Sequence, residues 1–82
     1  MTAQEMFESL GYKKLVTFEK NIVYVKRYSA FKQFITFDLV GKTFVVATVG
    51  IEQLEVKTER AMIEELKAIN KQCEELGWLD VD

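Results

Sequence analysis

Histidine is absent from this chain of 82 residues, and so is proline, while cysteine occurs once and glycine four times. Each shortage removes a class of chemistry. Without an imidazole there is no Ser-His-Asp or Cys-His nucleophilic site, no imidazole general acid or base, and almost no route to a mixed Cys/His zinc site. The four glycines are scattered rather than gathered into a loop, which argues against a phosphate cradle. Cys73, alone, can form no internal disulfide. No apolar run approaches the roughly 20 residues of a membrane-spanning helix. The opening Met1-Thr2-Ala3-Gln4-Glu5 has neither the basic region nor the apolar core of a secretory signal. A cytoplasmic protein without a cofactor or metal is the expectation.

What is present describes a folded chain. Apolar residues make up 49% and charged residues 29%, well mixed, which argues against disorder. The length suits one domain, residues 1–82, that buries about 60 to 65% of its unfolded surface. The net charge of −2 hides an uneven spread. From Gly11 to Gln33 six bases face one acid, a net +5, and from Thr58 to Asp82 seven acids face three bases, a net −4.

The longest periodic stretch runs from Lys57 to Trp78. Met62, Leu66, Ile69, Cys73 and Leu76 recur at gaps of four and three, within roughly 80° of one another on a helix, and predict one apolar face. Thr58 is a suitable N-cap with Glu59 in the first turn, and Gly77 can close the helix in a Schellman cap with Trp78 or Leu79 folding back. Arg60 with Glu64 and Lys71 with Glu75 are spaced as exposed ion pairs. At the other end, Thr2-Ala3-Gln4-Glu5 has the form of a capping box. Met6, Phe7 and Leu10 give a short apolar stripe over Ala3 to Leu10, and Gly11 supplies a left-handed end.

Between the helices the pattern changes to strands. Tyr12 to Glu19 and Ile22 to Tyr28 read as a hairpin about Lys20-Asn21. A two-residue loop places Val16, Phe18, Val23 and Val25 on one face; a three-residue loop groups Val16 and Phe18 with Ile22 and Tyr24 instead. The first is favoured. Phe31 to Val40 alternates Ile35, Phe37 and Leu39 against Phe34, Thr36 and Asp38, and Gly41-Lys42 suits a turn with glycine first. Thr43 to Val49 follows, with Phe44 and Val46 on the face of Ile35 and Phe37. Gly50 to Lys57 is either a short edge strand or the approach to the last helix. The expected fold is a two-layer α+β domain: a short N-terminal helix, a four- or five-stranded antiparallel meander, and a long C-terminal helix packed on one sheet face.

Few residues gather as a catalytic site would. Cys73 lies within the apolar stripe, where cysteine behaves as a small hydrophobe. Glu64-Glu65 and Glu74-Glu75 are adjacent pairs, and neighbours on a helix diverge by about 100°, so neither pair converges on one point. Glu65, at the edge of the stripe, is the one to inspect. The basic strands carry the candidate binding surface: Lys13, Lys14, Tyr24, Lys26, Arg27, Tyr28, Lys32 and Phe34. Cations interleaved with rings suit single-stranded nucleic acid, although no recognised binding motif is present and strand aromatics more often serve the core. The alternative is a protein-interaction module. Two apolar sheet faces on a small chain leave the one without helices to be covered by a protein partner or by a second copy in a homodimer.

The segments Thr2-Ala3-Gln4-Glu5-Met6-Phe7-Glu8-Ser9-Leu10-Gly11-Tyr12 and Glu64-Glu65-Leu66-Lys67-Ala68-Ile69-Asn70-Lys71-Gln72-Cys73-Glu74-Glu75-Leu76-Gly77-Trp78 resemble the termini of small uncharacterised proteins of phages and prophages in Gram-positive bacteria. The resemblance implies a bacterial host cytoplasm. That group has no assigned activity, so no functional residue is carried over. The expected function is a phage-type, non-catalytic interaction module, with a nucleic-acid accessory protein using the basic hairpin Gly11 to Gln33 as the alternative.

Overall fold

The computed structural model describes residues 1–15, 19–50 and 63–79. Its order is α1 (Ala3–Ser9), β1 (Lys13–Lys14), β2 (Asn21–Arg27), β3 (Phe31–Asp38), β4 (Thr43–Gly50) and α2 (Ile63–Glu75). The four strands form one antiparallel sheet in sequence order, so the fold is α+β with a meander between two helices. Gly50 ends β4; the rest of the segment to Lys57, read as either an edge strand or the approach to the last helix, lies outside the described residues, as do the Thr58 cap and Arg60 of the Arg60–Glu64 pair.

Local chemistry sets the helix ends. The Thr2 hydroxyl accepts from the Glu5 amide at 3.2 Å while the Glu5 carboxylate accepts from the Thr2 amide at 2.8 Å, a complete capping box. These bonds hold the Glu5 carboxyl below its usual range. Both helices close in Schellman geometry. Tyr12 N donates to Phe7 O and Gly11 N to Glu8 O; Trp78 N donates to Cys73 O and Gly77 N to Glu74 O. Gly11 and Gly77 take the required positive φ, 96° and 76°.

The β2–β3–β4 registers place Tyr24 opposite Ile35 and Ile35 opposite Val46, with Phe37 opposite both Ile22 and Phe44. That side of the sheet is the core face. Phe7 from α1, Tyr12, Ile22, Tyr24, Ile35 and Phe37 join Ala68, Ile69 and Cys73 from α2 in a single buried cluster. Phe7 stacks on Tyr24 with centroids 4.1 Å apart and meets Tyr12 and Phe37 edge-on. Burying each such ring contributes about 1.5 to 3 kcal/mol relative to leaving it in water. α1 lies against α2, and the Glu75 carboxylate accepts from Ala3 N at 2.8 Å at the positive end of α1.

Four expectations are corrected. The favoured hairpin, with Val23 and Val25 inside, is not formed: Lys13 lies opposite Val25 and Lys14 opposite Tyr24, a register two residues away from that of the three-residue loop, so Ile22 and Tyr24 are buried, as in that alternative, and Val23 and Val25 face outward. Val16 and Phe18 are outside the described residues. Lys20-Asn21 does not form the turn, because Asn21 already belongs to β2 and pairs with Asp38. The β3–β4 connection is four residues long, and its positive φ falls on Lys42, at 56°, rather than on Gly41. Asp38 Oδ1 accepts from the amides of Val40 and Gly41, fixing this wider turn. The slip of two residues keeps Phe44 and Val46 on the expected face.

The fourth correction concerns α2. Its buried residues are Glu65, Ala68, Ile69, Gln72 and Cys73, whereas Leu66 is 56% exposed. At about 100° per residue, this turns the helix by roughly 55° from the apolar stripe. Hydrogen bonds account for the rotation: Tyr24 Oη donates to Gln72 Oε1 at 2.7 Å, and Tyr12 Oη donates to the Glu65 carboxylate. Gln33 Nε2 donates to Tyr12 Oη at 2.9 Å and to Glu65 Oε2 at 3.1 Å. Two buried phenols without acceptors would each lose about 1 to 3 kcal/mol, together outweighing the roughly 1.5 to 3 kcal/mol that burying Leu66 would add. Lys71 pairs with Glu74 at 3.4 Å instead of with Glu75, whose carboxylate is engaged at Ala3.

Candidate binding surface

Strand pairing divides the basic region between the two sides of the sheet. Lys13, Arg27, Lys32 and Phe34 share the outer face with Val23 and Val25. Lys14, Tyr24 and Lys26 alternate onto the core side. Tyr24 is 1% exposed and belongs to the core. Its phenol is pushed up to about 12 by burial first and then by the nearby Glu75 and Glu8 charges. Lys26 sits with its ammonium 5.1 Å from the Tyr28 ring centroid and 5.8 Å from that of Tyr12. Tyr28 in turn stacks on Phe31 at 4.4 Å. Of the rings in the candidate binding surface, Phe34 is the one paired onto the outer face.

Row by row, that outer face has a clear gradient. Arg27, Lys32 and Val49 form one end; Lys13, Val25, Phe34 and Ala47 form the next row; Val23, Thr36 and Val45 follow, with Leu15 bonded to Val23 at the edge. Asp38 and Thr43 lie at the far end. None of these side chains joins the buried cluster, and Val45 and Val49 are 57% and 54% exposed. The whole of β4 is exposed and carries no charged residue, a composition that sheet edges usually avoid.

At the basic end, Gly11, Lys13, Val25, Arg27 and Lys32 line an open recess of about 340 Å³. Among the described residues, its charged lining is entirely positive. Among the described residues, Lys13, Arg27 and Lys32 form no ion pair.

The Tyr12–Glu65–Gln33 cluster is sealed by comparison. Burial, reinforced by the Glu65 carboxylate, raises the Tyr12 phenol far above the ordinary tyrosine value, and the three side chains are 1%, 6% and 2% exposed. The phenol proton is held in place, and the arrangement ties α2 to Tyr12 and to the sheet. Cys73 is also buried, which pushes its thiol up and away from the reactive thiolate. Among the described residues, no three His, Cys, Asp or Glu side chains come together as a metal site, and no helix is long and apolar enough to cross a membrane.

Sequence reasoning found the cations and Phe34, and alternation in β4 set Val45 and Val49 on the face of Phe34, opposite to Phe44 and Val46, as the register shows. It missed Val23 and Val25 as their companions; the available signal was parity, since these two alternate with Ile22 and Tyr24. Comparison with family models, curated proteins and solved structures gives no match.

Proposed function

We propose that this protein is a non-catalytic interaction module of phage type, acting in the bacterial host cytoplasm and binding another protein through the outer face of its sheet. The observation that carries this reading is the apolar patch of half-buried Val25 and Phe34 with exposed Val45 and Val49, outside the core cluster and continuous across three strands. A central apolar area with charges confined to its margin is the anatomy of a protein interface. A second copy of the chain is one such partner.

A single-stranded nucleic acid is the second reading, supported by Lys13, Arg27 and Lys32 around one recess. The rings weigh against it, because Tyr12 and Tyr24 are buried and Tyr28 and Phe31 stack on each other.

Selection of random peptides on the immobilised full chain tests the choice. The enriched peptides are expected to lose binding to Phe34→Asp and to the more exposed Val45→Asp, and to keep it with Leu66→Asp. Equal binding to the outer-face variants, or enrichment of single-stranded oligonucleotides in place of peptides, overturns the interaction-module reading.

A further inference from the structure

The basic recess and the apolar patch meet without a boundary, since Lys13 pairs across to Val25 and Lys32 across to Val49. We propose that the recess is a carboxylate seat. On the interaction-module reading, the protein partner covering the outer face carries Asp or Glu beside its apolar contact and docks that side chain between Lys13, Arg27 and Lys32.

Three observations lead to this assignment. First, the cations come from three adjacent strands and line one recess with no acid among its described lining residues, so their mutual repulsion is relieved by an incoming anion. Second, they have no ion-pair partner among the described residues, while Lys26 lies over the Tyr12 and Tyr28 rings. The Arg27 guanidinium offers a planar fork matched to a carboxylate, and its exposure at a rim suits partner selection and fast encounter.

Third, the charge is placed at one end only. A nucleic-acid strand brings evenly spaced phosphates and needs cations along its path with rings beneath its bases. Here a strand leaving the recess would cross aliphatic side chains and one ring and arrive at the Asp38 carboxylate. A peptide with acids at one end and apolar residues beyond matches the gradient.

The test uses the full chain labelled with ¹⁵N and four probes: the blocked peptide Glu-Glu-Val-Phe-Val, its Gln-Gln-Val-Phe-Val counterpart, inorganic phosphate, and an eight-nucleotide oligothymidylate. The Glu peptide is expected to shift the amides of Lys13, Arg27 and Lys32 saturably, at least about five-fold more tightly than the Gln peptide, and to weaken as salt rises from about 50 to 200 mM. Arg27→Glu should abolish that advantage, Lys42→Glu should leave it, and the double variant R27E/K32E should come to prefer a Lys-Lys-Val-Phe-Val peptide.

Phosphate binding weaker than that of the Glu peptide supports a peptide carboxylate, whereas tighter phosphate binding overturns it. Absence of saturable shifts at the recess with the Glu peptide overturns the seat. Equal affinity for the Glu and Gln peptides, with both lost in Phe34→Asp, removes the seat and keeps the interaction module. Oligothymidylate binding more than about ten-fold tighter than the Glu peptide, through the same amides, overturns both.

Discussion

The two sides of the sheet use nearly the same residue types to different ends. On the core side, Ile22, Tyr24, Gln33, Ile35 and Phe37 are buried, and every buried side-chain nitrogen or oxygen among them has a partner. On the outer side, Val23, Val25 and Phe34 are as apolar in sequence, yet none is fully buried or joins the core cluster. Apolarity does not distinguish the sides. Hydrogen bonds do: Gln33, Tyr12 and Tyr24 can be buried only where Glu65 and Gln72 meet them, so the polar residues determine which face becomes the interior.

Phe7→Ala and Phe34→Ala separate the sides most widely. Phe7 is fully buried against three rings, and its truncation should cost about 3 to 5 kcal/mol by urea unfolding, against less than about 1 kcal/mol for Phe34. Comparable losses would mean that the outer face is a second core. Within α2, Ile69→Ala should cost about 2 to 5 kcal/mol and Leu66→Ala no more than about 0.5 kcal/mol. The reverse order would restore the rotation suggested by the apolar stripe.

Glu65→Ala removes the acceptor shared by Tyr12 and Gln33 and should cost about 1 to 3 kcal/mol. Glu65→Gln, which retains an acceptor oxygen, should lose less. A neutral Glu65→Ala would show that the polar cluster does not determine the interior.

A further difference is expected on the alkaline limb. Tyr24 is raised from the ordinary 10.0 to about 12 in the folded chain, so its contribution is complete below pH 10 and is lost as pH rises towards 12. Tyr12 is shifted in the same direction. Tyr24→Phe should therefore flatten the fall in stability between those values, read from urea midpoints at successive pH. An unchanged slope would place the Tyr24 phenol in water.

The parts legible in the sequence were those decided within a few residues. Thr2 and Glu5 specify a cap by themselves, Gly11 and Gly77 specify helix ends, and strict alternation in β3 assigns Ile35 and Phe37 to one side. The first hairpin was misassigned because Ile22 and Tyr24 alternate with Val23 and Val25, and both pairs suit a core; no glycine fixes the turn. The rotation of α2 was hidden for a different reason. A count of apolar residues treats Glu65 and Gln72 as solvent-facing, and only the positions of the Tyr12 and Tyr24 phenols reveal why they turn inward. The binding surface was half visible: the cations stood out as a cluster, but whether two of them share a face depends on register.

The bond from Ala3 to Glu75 joins the first helix to the last across 72 positions. During synthesis, α1 and the sheet are made before α2, so Phe7, Tyr24 and Phe37 exist for a time without Ala68, Ile69 and Cys73 to cover them. At about 5 to 20 residues per second, the segment from Gly50 to Glu75 takes on the order of seconds to make. For that interval the nascent chain exposes aromatic surface on one side of its sheet and aliphatic surface on the other. Arrival of the final helix buries Phe7, Tyr24 and Phe37 with Ala68, Ile69 and Cys73, and the aliphatic side remains as an apolar surface for a chaperone or a partner to hold.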